Sequence, residues 1–183
     1  FPSNIEIERL NITIEINGKY SVFDTIKLRL VVFEKSVDAS CAKFRNQVEL
    51  SSTKLMESLN LEKTQFEHNC FLNSIIIGKN FNAHSCQFRS NFFISGSIGD
   101  RANFNSSTFF SQAKFQATKN VSVNIQGSTG HINISAHGTV VNVTRNDETF
   151  IEFIIRNTKR FYIKVKNGLI SKINQGKSQV KRW

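Results

Sequence analysis

The chain has 183 residues and a formal net charge of +10, with 39% hydrophobic residues, seventeen Phe and a single Pro. This length suits one compact domain, and no linker rich in Pro or Ser divides the chain. No run of about eighteen apolar residues occurs, which excludes a helical membrane span within it. The three Cys have neither C-x-x-C nor zinc-ligand spacing, which argues against a metal site.

Apolar and polar side chains alternate over residues 5–33, beginning with Ile5 and Ile7. The dipeptide Asn17-Gly18 lies between two such runs, and it is a strong hairpin signal because both residues accept positive φ. We therefore predict a β-hairpin cap over residues 1–39, with the first repetitive coil beginning near Ile26.

From Ala42 onward, apolar residues return at alternating steps of five and six. Helical repeats of eleven need steps of three or four, so this spacing would scatter the apolar residues around a helix. The residue two before each anchor is repeatedly small, so the pair shares one face of an extended segment. The spacing continues through Phe93 and Phe110, with one residue lost between Phe88 and Phe104. The predicted structural anchors are Phe44, Leu55, Phe66, Ile77, Phe88, Phe104 and Phe115.

Triplets of a small residue, a spacer and Phe or Leu recur at Ala42-Lys43-Phe44, Thr53-Lys54-Leu55, Thr64-Gln65-Phe66, Cys86-Gln87-Phe88, Ala102-Asn103-Phe104 and Ala113-Lys114-Phe115. Over residues 40–118 this pattern resembles the pentapeptide-repeat family, in its branch with alternating five and six spacing. The resemblance implies a right-handed, four-sided β-solenoid with stacked anchors and two eleven-residue repeats per coil. The pattern is broken at Leu59 and Phe81, where the inward residue is large, and at Asn91 and Gly96.

Two cysteines, Cys70 and Cys86, occupy the small inward position of this pattern. We interpret them as buried, reduced thiols that act as small hydrophobic residues.

After Phe115 the five-six spacing gives way to plain alternation through residues 119–183, with a second Asn-Gly turn at Asn167-Gly168. Several short strands at regular spacing indicate either a continuing β-helix, which we favour, or a small sandwich. The tail, residues 175–183, has little to bury and is expected to be flexible. The predicted fold is thus an all-β solenoid with an N-terminal cap and additional C-terminal strands.

Positive charge is concentrated in the C-terminal region, where residues 119–183 carry +8, against −1 for residues 1–39 and +3 for residues 40–118. On a strand that begins at Arg160, cationic side chains would share one face. Such a stripe suits nucleic acid phosphate, an anionic membrane surface or an acidic protein, and equally a solvated outer face. Its candidate binding residues are Arg156, Lys159, Arg160, Tyr162, Lys164, Lys166 and Lys172.

Catalytic groups are sparse, since the chain has only four Asp and four scattered His, with no phosphate-binding glycine loop. We therefore predict no enzymatic activity, cofactor or small-molecule substrate, and rank a carbohydrate-active solenoid enzyme last. The favoured function is a non-catalytic solenoid scaffold or protein-interaction module that docks a partner or self-associates as a subunit of a larger assembly. The alternative is an anion-binding module. For location, the sequence favours the cytoplasm or a membrane periphery slightly over secretion.

Overall fold

The structure is a computed structural model that describes residues 4–117, 122–136, 140–143, 149–154 and 162–165. These residues form twenty-three β-strands, and no helix occurs among them. The strands stack in parallel as a β-solenoid, which confirms the predicted fold class.

The first three turns of the solenoid each contain four short strands, one for each side of the coil. Their bounds are β1 (Asn4–Glu8), β2 (Asn11–Ile12), β3 (Ile16–Asn17), β4 (Val22–Phe23), β5 (Thr25–Arg29), β6 (Val32–Phe33), β7 (Val37–Asp38), β8 (Lys43–Phe44), β9 (Val48–Ser51), β10 (Lys54–Leu55), β11 (Leu59–Asn60) and β12 (Gln65–Phe66).

In the later turns, some strands run through two sides without a break. Their bounds are β13 (Cys70–Ile77), β14 (Phe81–Asn82), β15 (Gln87–Phe88), β16 (Phe92–Ile98), β17 (Arg101–Asn103), β18 (Thr108–Ala117), β19 (Ser122–Asn124), β20 (Thr129–Ala136), β21 (Val140–Val143), β22 (Thr149–Ile154) and β23 (Tyr162–Val165).

Each strand pairs with the strand one turn further along the chain. Phe23 faces Phe44, Phe44 faces Phe66, and Phe66 faces Phe88, so one turn takes 21 or 22 residues. Two eleven-residue repeats therefore build one turn, as the resemblance of the repeats implies. The turns are collected into a fifteen-stranded sheet and an eight-stranded sheet, which enclose the core between them.

The core is a set of columns in which equivalent residues of successive turns lie on top of one another. The rings of Phe44 and Phe66 stack 5.0 Å apart with an interplanar angle of 8°, and Phe66 and Phe88 stack 4.9 Å apart at 5°. This spacing matches the strand separation of about 4.8 Å, so side chains in the same sheet position make face-to-face contact. All seven proposed anchors are buried.

A second column consists of small residues beside the Phe stack, and its polar members bond to the backbone of the turn before. The hydroxyl of Thr64 donates to the carbonyl of Ala39 at 2.8 Å, and that of Ser107 donates to the carbonyl of Ala83 at 2.6 Å. The Cys86 thiol donates in the same way to the carbonyl of Leu61. These bonds satisfy polar groups that would otherwise be costly to bury.

The hairpin expected at Asn17-Gly18 is not formed, and the segment is instead the first turn of the solenoid. A turn does follow Gly18, whose carbonyl accepts a hydrogen bond from the Ser21 amide. However, β3 pairs in parallel with β7, and β4 pairs in parallel with β8, each one full turn away. Local alternation cannot distinguish these cases, because one side of a solenoid and one arm of a hairpin both repeat every two residues. The coils therefore begin with β1 rather than near Ile26.

The register also corrects two of the residues placed on the five-six spacing. Phe88 pairs with Phe109, which is buried, and its neighbour Phe110 points outward and is 65% exposed. Phe93 is half-buried, whereas Phe92 and Ile94 on either side of it face the core. The missing residue is lost where β13 and β16 change register, between the pairs Leu72–Ile94 and Ile75–Gly96.

Large inward residues at Leu59 and Phe81 are accommodated because they lie in one column. The two residues pair directly, and both are buried. Gly96 has φ +126°, and a Cβ on it would lie 1.9 Å from the Ile75 carbonyl oxygen. Glycine is thus required where β16 presses against the previous turn.

Two corners of the coil have left-handed backbone in successive turns, and ordinary residues occupy them. One corner passes through Arg9, Leu30, Ser52 and Ser74, and the other through Tyr20, Cys41, Lys63, Ser85 and Ser106, all with φ between 50° and 60°. Gly127, with φ 67°, continues the second corner. Because this conformation is costly for residues with a Cβ, the corners store strain that the packed columns hold in place.

Beyond β18 the described strands extend the same stack. Val123 pairs with Val141, and Val141 pairs with Ile163. On the other sheet, Ile132 pairs with Ile151. The Asn167-Gly168 turn and the tail at 175–183 lie outside the described residues.

Candidate functional site

Most of the predicted basic stripe lies outside the described residues. Only Tyr162 and Lys164 belong to a described strand, β23, which pairs with β21 and is the last strand of the eight-stranded sheet. The other candidates, Arg156, Lys159, Arg160, Lys166 and Lys172, are not in the described part of the chain.

The two inward cysteines are buried in the core. Burial raises the pKa of the Cys86 thiol to about 12, and burial together with the nearby Cys86 raises the pKa of Cys70 well above its ordinary value. Both thiols are held in their protonated form at neutral pH. Within the described residues, no group of three or more His, Cys, Asp or Glu side chains has an arrangement that could hold a metal ion.

The most distinctive surface of the molecule is the first turn, at the N-terminal end of the stack. Its strands β1 to β4 pair with β5, β6, β7 and β8, and no described strand pairs with their opposite edges. Open strand edges present backbone donors and acceptors that another strand can pair with. We call this surface the open end.

An apolar concavity of about 260 Å³ sinks into the core from the open end. In later turns, each inward-facing side chain is covered by the turns on both sides of it. The inward-facing side chains of the first turn are only half-buried. The mouth is lined by side chains of the first turn, Ile5, Ile7, Ile12, Ile16 and Phe23, and its floor by residues of the second and third turns such as Ile26, Phe33 and Leu55. The first turn therefore presents the cross-section of the core to its surroundings.

Exposed apolar side chains are concentrated in the first turn, and we call those of this turn the apolar rim. Tyr20 is 71% exposed, Ile14 67%, Val22 54% and Leu10 45%, and all four belong to the first turn. The other large apolar residues that are exposed in the described part of the chain, Leu30, Met56, Ile76 and Phe110, are spread over four different turns. A cluster of exposed apolar residues is typical of an interaction surface, whereas single exposed ones are ordinary.

The outer faces of the solenoid carry charged side chains whose sign alternates from turn to turn. On the side formed by β1, β5 and β9, Glu6 is followed by Lys27 and then by Glu49. The Lys27 ammonium lies 3.0 Å from the Glu6 carboxylate. Next to them, Arg29 lies 3.8 Å from Glu8. Opposite charges on adjacent strands stabilise their pairing. We call such columns charge ladders.

A second charge ladder follows β4, β8, β12 and β15. Asp24, Arg45, Glu67 and Arg89 occupy one position in four successive turns, one residue after the stacked Phe. The Glu67 carboxylate lies 3.1 Å from Arg89 and also 3.0 Å from Lys43. The hydrogen bond from Lys43 and the charge of Arg89 keep the pKa of Glu67 below its ordinary value, against an opposing effect of burial.

A third charge ladder lies beyond β6, β10 and β13, where Lys35, Glu57, Lys79 and Asp100 alternate in sign. Lys79 lies 3.7 Å from Glu57. A hydrogen bond from Ser36 and the charges of Lys79 and Lys35 lower the pKa of Glu57. Three sides of the coil thus carry alternating charges, which on the first side end at Glu49, because Phe71 follows it.

The fourth side carries a ladder of side-chain amides that ends on the Asp38 carboxylate, and we call it the amide ladder. The Asn82 side-chain amide donates to Asn60 at 3.0 Å, Asn103 donates to Asn82 at 3.1 Å, and Asn60 donates to Asp38 at 3.2 Å. Each side-chain oxygen also accepts the backbone amide two residues on, as from His84 to Asn82. Although burial opposes ionisation, the hydrogen bonds from Ser40 and Asn60 and the charge of Lys19 lower the pKa of Asp38.

Sequence reasoning missed both the open end and the charge ladders. The alternation in residues 5–33 was visible, but its interpretation as a hairpin paired the strands with each other and closed their edges. Writing the sequence in rows of 21 or 22 residues would have aligned Glu6, Lys27 and Glu49 and displayed the alternating signs.

No protein-family model, curated protein or solved structure matches this chain. Among the residues that the structure describes, no helix is long and apolar enough to cross a membrane.

Proposed function

We propose that this protein is a non-catalytic scaffold or protein-interaction module that docks its partner, or a further copy within a larger assembly, through the open end. The β-solenoid fold is compatible with such a role, because the ends of a stack of repeats are the places where stacking can continue. The proposal involves no cofactor and no small-molecule substrate.

One observation carries this proposal: the open end combines free strand edges, an apolar concavity and a rim of exposed apolar side chains. No described strand covers the first turn, and its exposed side chains Ile14 and Tyr20 are apolar. An apolar surface at the end of a stack of repeats needs a cap or a partner to cover it. An apolar rim of this kind gains stability when a partner covers it.

Affinity capture with surface variants tests the proposal. Ile14→Ser with Tyr20→Ser removes the two most exposed apolar side chains of the rim, and Met56→Ser with Ile76→Ser is the matched control on the flank. We expect the wild type and the flank variant to recover the same partner or to self-associate equally in sedimentation, and the rim variant to lose both properties. A wild-type chain that stays monomeric and recovers nothing would contradict the proposal.

A second candidate function is anion binding through the basic C-terminal stripe, for which nucleic acid or an anionic membrane is the partner. It is favoured by the +8 charge of residues 119–183 and by the position of β23 as the last described strand of its sheet. The test is a salt titration of binding to duplex DNA, RNA and anionic liposomes. Replacing Arg160, Lys164 and Lys166 with Gln should weaken binding and reduce its salt dependence.

The matched control for this titration replaces Lys19, Lys54 and Arg101 with Gln, which removes the same charge from the first, third and fifth turns. An equal effect of both triple variants would show that binding follows net charge alone. Absence of binding to all three polyanions would exclude this second function.

A further inference from the structure

The charge ladders indicate which charges a strand paired with the open end would carry. In each ladder that reaches the first turn with a charge, that charge is acidic: Glu6, Glu8 and Asp24. The rung that follows each of them carries a cation, Lys27, Arg29 and Arg45 respectively. Continuing the alternation in the other direction predicts a cation opposite each of the three carboxylates. The first turn also carries Lys19 and Arg9, and Arg9 lies 3.6 Å from Glu8, but carboxylates outnumber cations there and the edge of β1 is complementary to a basic strand.

The core columns indicate which side chains of a strand paired with the open end would be apolar. Along β1, Ile5 and Ile7 are half-buried and face the concavity, whereas Glu6 and Glu8 between them are exposed. A strand that paired with β1 in the same manner as β5 would place alternate side chains over Ile5 and Ile7. Those side chains must be apolar to cover the mouth. The residues between them in the bound strand would lie opposite Glu6 and Glu8.

We propose that the open end binds a β-strand of a partner protein in which apolar residues alternate with Lys or Arg. This inference rests on the proposed function and specifies its partner. Backbone hydrogen bonds to the edge of β1 supply affinity, the apolar residues close the 260 Å³ concavity, and the cations pair with Glu6 and Glu8.

A second copy of the chain fits this surface less well. Two open ends placed face to face would bring the glutamates of both β1 strands together. Stacking the last described strand of the other end, β22, on β1 with Ile151 over Ile5 would put positions 152 and 6, both Glu, at the same register. Like charges directly opposite each other destabilise strand pairing.

Peptide binding to the full chain tests the inference. The probe is a fluorescein-labelled peptide of alternating Val and Lys, and its counterpart has Glu in place of Lys. We expect saturable binding of the Lys peptide, weakened by salt, and none of the Glu peptide. Glu6→Lys with Glu8→Lys should weaken the Lys peptide about tenfold and allow the Glu peptide to bind. Asp100→Lys, an exposed reversal far from the open end, is the control.

The milder pair Glu6→Gln with Glu8→Gln guards against a folding defect and should give an intermediate loss. Equal binding of both peptides, or an equal effect of Asp100→Lys, would overturn the basic strand. Concentration-dependent self-association abolished by the Ile14→Ser and Tyr20→Ser rim variant would overturn it in favour of a second copy. If neither peptide binds but the rim variant still loses its captured partner, the basic strand is wrong and the interaction module stands. If neither peptide binds and the rim variant captures the same partner as the wild type, both proposals are wrong.

Discussion

At the left-handed corners, a residue with a Cβ destabilises the folded backbone conformation. Ser106 has φ 58° and is exposed, and Gly127 occupies the equivalent corner one turn later. An L residue in this conformation costs about 1–2 kcal/mol, of which Gly avoids most but loses part through its greater freedom when unfolded. We expect Ser106→Gly to stabilise the protein by about 0.5–1 kcal/mol in denaturant unfolding. Ser97→Gly, within β16, should destabilise it, and a gain in both would contradict the strain argument.

The buried thiol of Cys86 makes stability depend on alkaline pH. Its pKa is about 12 in the folded protein and 9.0 for an ordinary thiol. The unfolded chain therefore releases this proton first, and the contribution is complete below pH 9.0 and is lost as the pH rises towards 12. The loss should approach about 1.4 kcal/mol per pH unit.

Cys86→Ser tests this pH dependence, because Thr64 and Ser107 show that the column accepts a hydroxyl. We expect its unfolding free energy to decline less steeply above pH 9.0 than that of the wild type. Cys41→Ser, at a half-buried corner, leaves both buried thiols in place and should follow the wild-type curve. Parallel curves for all three proteins would show that the thiol of Cys86 ionises as freely as in the unfolded chain.

The strands β7, β11, β14 and β17 have only two or three residues each, and the amide ladder adds side-chain hydrogen bonds between them. Asn82→Ala would leave the side-chain amide of Asn103 and the backbone amide of His84 without their acceptor. We expect a loss of about 1–3 kcal/mol in unfolding free energy. Asn80→Ala is the matched control, because this side chain is exposed two residues away, and should change stability by less than about 0.5 kcal/mol. Equal losses of unfolding free energy in Asn82→Ala and Asn80→Ala would show that the amide ladder does not stabilise the protein.

The turns of the solenoid differ in how completely their neighbours cover them. In the fourth turn, Ile75, Ile77 and Phe81 have at most 1% of their surface exposed, whereas the first turn is half-buried. Since each turn contacts only its neighbours, the ends should open more readily than the middle. Native-state hydrogen exchange should find the amides of β13 slowest and those of β1 to β4 fastest. Uniform protection along the stack would indicate a single all-or-none unit.

The repeat length and the burial of residues such as Phe66 could be derived from the sequence, because apolar spacing directly reflects which side chains face inward. The solenoid itself was expected from the resemblance of the triplets to a known kind of repeat. The pairing of residues 5–33 could not, since the partner of Ile16 is chosen by the stacking of Val37 a full turn away and not by the local pattern. The left-handed corners were hidden for a related reason. Ser, Lys and Cys occupy them where glycine would have signalled the turn.

The candidate site depended on knowing the register. Glu6, Lys27 and Glu49 are ordinary charged residues when considered singly, and only their superposition shows that the open end has the wrong sign to stack on itself. The apolar rim was equally invisible, because Ile14 and Tyr20 look like members of alternating strands until the structure shows which side they face.

Because the charges alternate from turn to turn, losing an odd number of turns differs from losing an even number. Removing the third turn, so that Arg45 came to lie beside Arg89, would also bring Lys35 beside Lys79 and would set like charges against each other in two ladders at once. Removing or duplicating two turns would leave every sign matched. A chain built in this way can lengthen or shorten during evolution most easily in pairs of turns, so ancestral duplications should have an even number of coils.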